Sequence, residues 1–120
     1  MARSRQRRAP LTHPLPSEID LLDVLHALAD PTRMTIVRTL YAAPERACGT
    51  FPVEVAPSTL SHHFKVLREA GIIHQREEGN RKLTKLRTAE LQVRFPDLLD
   101  TILRADNSPT EKGISSDQMD

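Results

Sequence analysis

Residues 57–71 read Pro57-Ser58-Thr59-Leu60-Ser61-His62-His63-Phe64-Lys65-Val66-Leu67-Arg68-Glu69-Ala70-Gly71, and a helical wheel divides them into two faces. At about 100° per residue, Leu60, Phe64, Leu67 and Gly71 fall in one narrow sector, with His63 and Ala70 on its flank. Ser58, Ser61, His62, Lys65 and Glu69 occupy the opposite sector, with Arg68 on its margin. Pro57 suits the first helical position, where its missing amide hydrogen has no partner to lose, and Gly71 suits the left-handed residue that ends a helix. The spacing therefore predicts a helix from Pro57 to about Ala70 with one buried seam. Its outward face carries short hydroxyls, an imidazole and an ammonium, groups that match base edges and phosphates; a merely solvated face carries more Glu and Lys pairs.

After Gly71, Ile72, Ile73 and the alternating residues to Glu77 read as a strand, Glu78-Gly79-Asn80 as a tight turn, and Arg81 to Arg87 as a return strand anchored by Leu83 and Leu86. Upstream, Ser17 is the expected cap of a first helix with Ile19, Leu22, Leu25, His26 and Leu28 at helical spacing. Leu21 and Val24 widen that stripe beyond what one core contact needs. Asp30-Pro31 stops this helix and starts a second, which holds Met34, Ile36, Val37, Leu40 and Tyr41 and ends at Pro44. Gly49 and Pro52 leave room for only a short helical piece around Ala47 to Phe51. Downstream, Thr88 is expected to cap a short segment through Val93, and Pro96 to open a last helix with Leu98, Leu99, Ile102 and Leu103 on its apolar side. Helices followed by a two-stranded hairpin is the order of a winged helix-turn-helix, a mostly α fold with a small β-hairpin.

The chain has 120 residues, enough for one domain and too few for two independent cores. Aromatics are only 3%, so the core must come from Leu, Ile, Val and Ala, which favours helices. The longest apolar runs are too short for a membrane span or a secretory signal. A single cysteine, Cys48, can make neither an internal disulfide nor a thiolate zinc site, and a reducing cytoplasm is the expected setting. The net charge of +1 hides a sorted distribution. Arg3, Arg5, Arg7 and Arg8 lie in residues 1–14 with no acid, and residues 57–87 hold seven basic against three acidic groups. Residues 106–120 carry one basic and four acidic groups. The expected organisation is a basic disordered tail over residues 1–16, one domain over 17–105, and an acidic disordered tail over 106–120. A basic segment inside a nearly neutral protein points to a local anionic partner.

Leu28-Ala29-Asp30-Pro31-Thr32-Arg33, together with Ser61-His62-His63-Phe64-Lys65-Val66-Leu67-Arg68-Glu69-Ala70-Gly71-Ile72-Ile73, resembles the ArsR family of bacterial winged-helix repressors, and the similarity runs from about Leu21 to Leu103. The resemblance implies a homodimer paired through its first and last helices, a recognition helix matching Pro57 to Ala70, and a wing matching Ile72 to Arg87. Metal-sensing members carry a Cys-x-Cys motif before the turn, where this chain reads Ala47-Cys48-Gly49-Thr50-Phe51. Other members place Asp and His pairs on the last helix, and residues 96–105 contain no histidine. Neither metal site can be built from these residues. Adjacent His62 and His63 point about 100° apart on a helix and cannot chelate one ion.

Cys48 has two readings: a small buried hydrophobe, or a redox-sensing thiol activated by Arg46 and a nearby helix start. Catalysis lacks a phosphate loop, a nucleophile elbow and a metal motif, and Ser58, Ser61, His62 and Asp30 do not make a triad. A winged helix that binds protein instead of DNA is the rival reading, but residues 58–65 offer no large outward apolar anchor. The residues therefore favour a cytoplasmic, dimeric, DNA-binding repressor on an inverted-repeat operator, without cofactor or metal and released by a non-metal signal. Ser58, Thr59, Ser61, His62 and Lys65 are the expected base and phosphate contacts of the recognition helix. Arg81 and Lys82 are expected on phosphates from the wing, with Arg76 and Asn80 as weaker candidates.

Overall fold

A computed structural model describes residues 11–106, so the expected tails lie outside it apart from residues 11–16 and Asp106. Two units can be distinguished, one ending at Arg87 and one starting at Thr88.

In the first unit the chain opens with a 3-10 turn, Pro16–Glu18, followed by α1, Leu21–Leu28. The helix starts later than Ser17 because Asp20 is the better cap: its carboxylate accepts from the Leu22 and Asp23 amides. Asp30 caps α2, Pro31–Ala42, through the Arg33 amide at 2.9 Å, with Pro31 in the first turn as expected. Met34, Ile36, Val37 and Leu40 are buried from this helix, whereas Tyr41 is exposed. Ala43, before Pro44, is extended, which ends α2. The next stretch contains a strand that the sequence reading missed: β1, Arg46–Ala47, precedes the expected short helical piece, a 3-10 turn over Cys48–Thr50. Two residues are too few for a visible period.

The recognition-helix candidate is α3, Pro57–Glu69, which buries His63, Phe64 and Leu67. Strands β2, Ile73–Glu78, and β3, Arg81–Leu86, form the hairpin, and β1 joins the far side of β3, giving an antiparallel sheet in the order β1-β3-β2. Gly79, at φ 65°, makes the two-residue turn with Asn80. Register pairs Gln75 with Thr84 and Ile73 with Leu86 near the base, and Glu78 with Arg81 at the tip. The core gathers Ile19, Val24, Ile36, Val37, Leu67, Ile72 and Ile73, built without a tryptophan as the composition required.

The second unit holds α4, Thr88–Arg94, and α5, Leu98–Asp106, which pack on one another. The last helix begins after Pro96 because Asp97 takes a left-handed φ of 63°. Gln92 fixes that turn, accepting from the Asp97 amide at 3.1 Å and donating to its carboxylate at 3.2 Å.

Gly71 has φ 87°, and a Cβ placed there would stand 2.6 Å from Cγ1 of buried Ile19. Gly71→Ala is expected to lower stability by about 1–3 kcal/mol in urea unfolding, from a disfavoured backbone and overpacking. Gly49→Ala, which meets nothing within 4 Å, is the control and should stay within about 0.5 kcal/mol.

Candidate nucleic-acid interface

Arg33 positions the interface from below. Its residue is 8% exposed, its Nε donates to the Ala27 carbonyl at 2.7 Å, and its Nη1 lies 3.0 Å from His63 Nδ1. A guanidinium can only donate, so His63 Nδ1 accepts and the ring proton sits on Nε2. Asp30 Oδ2 stands 4.0 Å from the same imidazole nitrogen. The Arg33 amide, then the Arg33 guanidinium, hold the Asp30 carboxyl below its ordinary pKa of 3.8 against the opposing effect of burial. The last turn of α1, the first turn of α2 and the middle of α3 are thus tied to one planar group. With His63 turned inward, its neighbour His62 is exposed.

Ser58, Thr59, Ser61, His62 and Lys65 are all exposed on α3. On the wing, Arg76, Asn80 and Arg81 are exposed and Lys82 is half-buried. Ser61 of α3, Lys82 of the wing and Cys48 line one groove of about 240 Å³, together with Leu60, Arg68 and Gln75. Arg76 is drawn into the wing's own charge pairs, bonded to Glu45 at 3.1 Å and to Glu78 at 3.3 Å. Asn80 stands at the turn, across the hairpin from the groove residues at its base.

Beneath the groove is a polar cluster. Arg68 Nη1 donates to Gln75 Oε1 at 2.7 Å, and Gln75 Nε2 donates to Thr84 Oγ1 at 3.1 Å and to Cys48 Sγ at 3.3 Å. Cys48 Sγ is also 3.3 Å from Thr84 Oγ1. The thiol is half-buried within these hydrogen bonds. The Arg46 guanidinium donates to the Thr50 carbonyl and lies over the Phe51 ring at 5.5 Å. On the outer edge of β2, His13 Nε2 accepts from the Gln75 amide at 3.0 Å, and its ring stacks on His74 with centroids 4.2 Å apart. Burial, then the nearby His74, Arg68 and Arg87, hold the His13 pKa below its ordinary value of 6.5.

Sequence reasoning missed Arg33, His63, Gln75, Thr84 and His13 as organising residues. A signal existed for Gln75, which shares the inward parity of Ile73 in an alternating strand. No local signal marked His13, whose partner is 62 residues away.

A family model described as a helix-turn-helix domain matches residues 28–76. The chain is similar to the uncharacterized HTH-type transcriptional regulator YceK of Bacillus subtilis, 37% identical over 82 residues, which cover 66% of this chain and 82% of that protein. It is similar as well to the putative arsenical resistance operon repressor ArsR of Halobacterium salinarum, 41% identical over 59 residues, 47% of this chain and 46% of that one. Among solved structures, the homodimeric winged helix-turn-helix DNA-binding domain of Mb0332 from Mycobacterium bovis matches with a TM-score of 0.58 at 23% identity, covering 81% of this chain and 87% of that domain. At that identity the likeness speaks for the fold.

Proposed function

The chain belongs to the ArsR family of winged helix-turn-helix transcriptional regulators, and we propose that it is a dimeric repressor whose residues 17–105 occupy an inverted-repeat operator and block polymerase. The observation that carries this reading is the outward face of α3, where Ser58, Thr59, Ser61, His62 and Lys65 stand exposed together. Hydroxyls and an imidazole at the start of such a helix read base edges, while Lys65 and the wing residues Arg81 and Lys82 take phosphates. Arg76, already paired with two carboxylates, is a weaker phosphate ligand. Asn80 contacts the backbone from the wing tip. The rival reading, a protein-binding module, asks for a large apolar anchor on this face, and Leu60 is turned halfway into the fold instead. No catalytic step and no cofactor enter this reading, and the setting is the cytoplasm. Among the described residues no helix is long and apolar enough to cross a membrane.

Pairing is assigned to α1, supported by Leu22 at 71%, Leu21 at 41% and Leu25 at 39% exposure, an apolar row that a second copy would cover. The apolar side of α5, Leu98, Leu99 and Ile102, is assigned to the same role. The homodimeric state of the Mb0332 domain agrees with this assignment. Two recognition helices would then lie about 34 Å apart, one turn of DNA.

The release signal is assigned to Cys48. Its thiolate would attack hydrogen peroxide, gaining an oxygen as sulfenic acid and releasing hydroxide, which takes a proton to become water. The added oxygen would stand among the hydrogen bonds that Sγ shares with Gln75 and Thr84, and Gln75 in turn holds Arg68 of α3.

Three measurements test these readings. His62→Ala or Ser61→Ala is expected to weaken operator binding by about 1–3 kcal/mol with little change on random DNA, whereas Arg81→Ala weakens both and lowers the salt slope by about one unit per subunit. Operator preference that survives His62→Ala removes that residue from base readout. Sedimentation at micromolar concentration is expected to give a dimer for the natural chain and a monomer for Leu22→Asp; a compact monomer for both defeats the pairing. Peroxide is expected to release the natural chain from its operator and to spare Cys48→Ser, and equal indifference of the two would leave Cys48 as packing.

A further inference from the structure

We propose that the groove between α3 and the hairpin binds the anion of a small carboxylic acid, with its carboxylate on Arg68 and Lys82 and a short apolar body against Pro57, Leu60 and Phe64. The site itself is independent of the DNA-binding reading; its effect, competition with DNA, rests on that reading.

The groove has an apolar side and a polar one. Along α3, Pro57, Leu60 and Phe64 are spaced three and four residues apart, so they share one face of the helix. Phe64 is buried, its ring meeting the Phe51 ring edge-on at 5.3 Å, while Leu60 is half-buried and Pro57 exposed. The apolar side is therefore closed at its inner end and open at its outer end. Lys82 lies two positions before Thr84 on β3, so it leaves the sheet on the same face as the buried Gln75 and Thr84 pair. Arg68 completes the polar side from the last turn of α3.

Charge decides what the groove accepts. Arg68 and Lys82 line it and no carboxylate does, Glu77 opposite Lys82 in the hairpin being outside the lining. Arg68 Nη1 donates to Gln75 at 2.7 Å, and Arg68 Nε is buried with no hydrogen-bond partner among the described residues. A guanidinium has five N–H groups, so its bond to Gln75 leaves donors to spare. Gln75 is neutral and already engaged with Arg68, Thr84 and Cys48, so it cannot supply the missing negative charge. A guanidinium and an ammonium beside one groove fit an anion, and the planar guanidinium fits a carboxylate.

Size and the apolar side narrow the class. The groove holds about 240 Å³, the liquid volume of about eight water molecules and less than a drug-sized ligand needs. An inorganic anion would leave Leu60 and Phe64 facing water, and a neutral apolar molecule would leave both cations unmatched. A monoacid of about six to eight heavy atoms serves both sides. Ser61 and Lys82 line the groove and are also assigned to DNA above, so an occupant takes their place at the nucleic acid.

The test titrates hexanoate, an acid of that size, into the full ¹⁵N-labelled chain without DNA and follows the amide resonances. Saturable shifts are expected at Leu60, Ser61, Gln75 and Lys82, with hexanol and acetate each at least about tenfold weaker, from the lost charge-assisted bonds and the lost methylenes respectively. Lys82→Ala is expected to weaken hexanoate about tenfold and Lys82→Arg to restore it. No saturable shift, shifts confined to other residues, or equal binding by hexanol overturns the site. Inorganic phosphate binding as well as hexanoate overturns the carboxylic-acid class. Competition is read by anisotropy of a fluorescent mixed-sequence duplex at fixed ionic strength, where hexanoate at about ten times its Kd is expected to lower DNA affinity about tenfold. Unchanged DNA affinity with the groove filled overturns the competition, whereas a chain that fails to bind the duplex at all overturns the DNA reading.

Discussion

The Arg33 guanidinium is almost wholly removed from water, and its charge is tolerated there because the Ala27 carbonyl and His63 Nδ1 take its hydrogens while Asp30 stands nearby. A buried charge with its partners in place is stable; one with a partner removed is costly by several kcal/mol. That asymmetry makes Arg33 a reference point for three helices. A rotation of α3 by one residue, about 100°, would withdraw His63 Nδ1 from the guanidinium and leave the buried Arg33 Nη1 without that acceptor. The outward aspect of Ser58, Ser61, His62 and Lys65 is thus set from the far side of the helix, by a residue that is itself almost wholly buried.

A second polar constraint sits at the other end of α3. Arg68, Gln75, Thr84 and Cys48 form a chain of hydrogen bonds linking the end of α3, both hairpin strands and the loop after β1. Apolar packing alone is non-directional and would allow the hairpin to slide over the helix. Hydrogen bonds at fixed distances do not. The spacing between α3 and the hairpin is therefore held by direction-specific contacts, and Cys48 is the member of that chain with reactive chemistry.

Most of the architecture was legible because it is written in local patterns. The seam of α3, the Asp30-Pro31 restart, the left-handed Gly71 and the hairpin turn each depend on residues within one or two turns of one another. The reading slipped where two local signals competed: Ser17 and Asp20 both cap helices, and the carboxylate of Asp20 won. It slipped again at Pro96, where a helix start was expected but the left-handed Asp97 intervenes, locked by Gln92. The outward residues of α3 could be named from the wheel, but what orients them could not. Arg33 to His63, Cys48 to Thr84 and His13 to Gln75 join residues 30, 36 and 62 positions apart, and no periodicity reports such pairs.

The pairing of buried Gln75 with buried Thr84 also has a consequence for how the hairpin can change over generations. A slip of one position between β2 and β3 would turn both polar side chains away from their partners, so the base of the hairpin tolerates no insertion. Beyond Gln75, residues Arg76 to Arg81 are all exposed and touch no core. A change of length there by pairs of residues would keep the parity of the strands at the base. The hairpin is thereby divided into a root whose register is fixed by buried polar partners and a tip that can change length or charge while α3 keeps its seat.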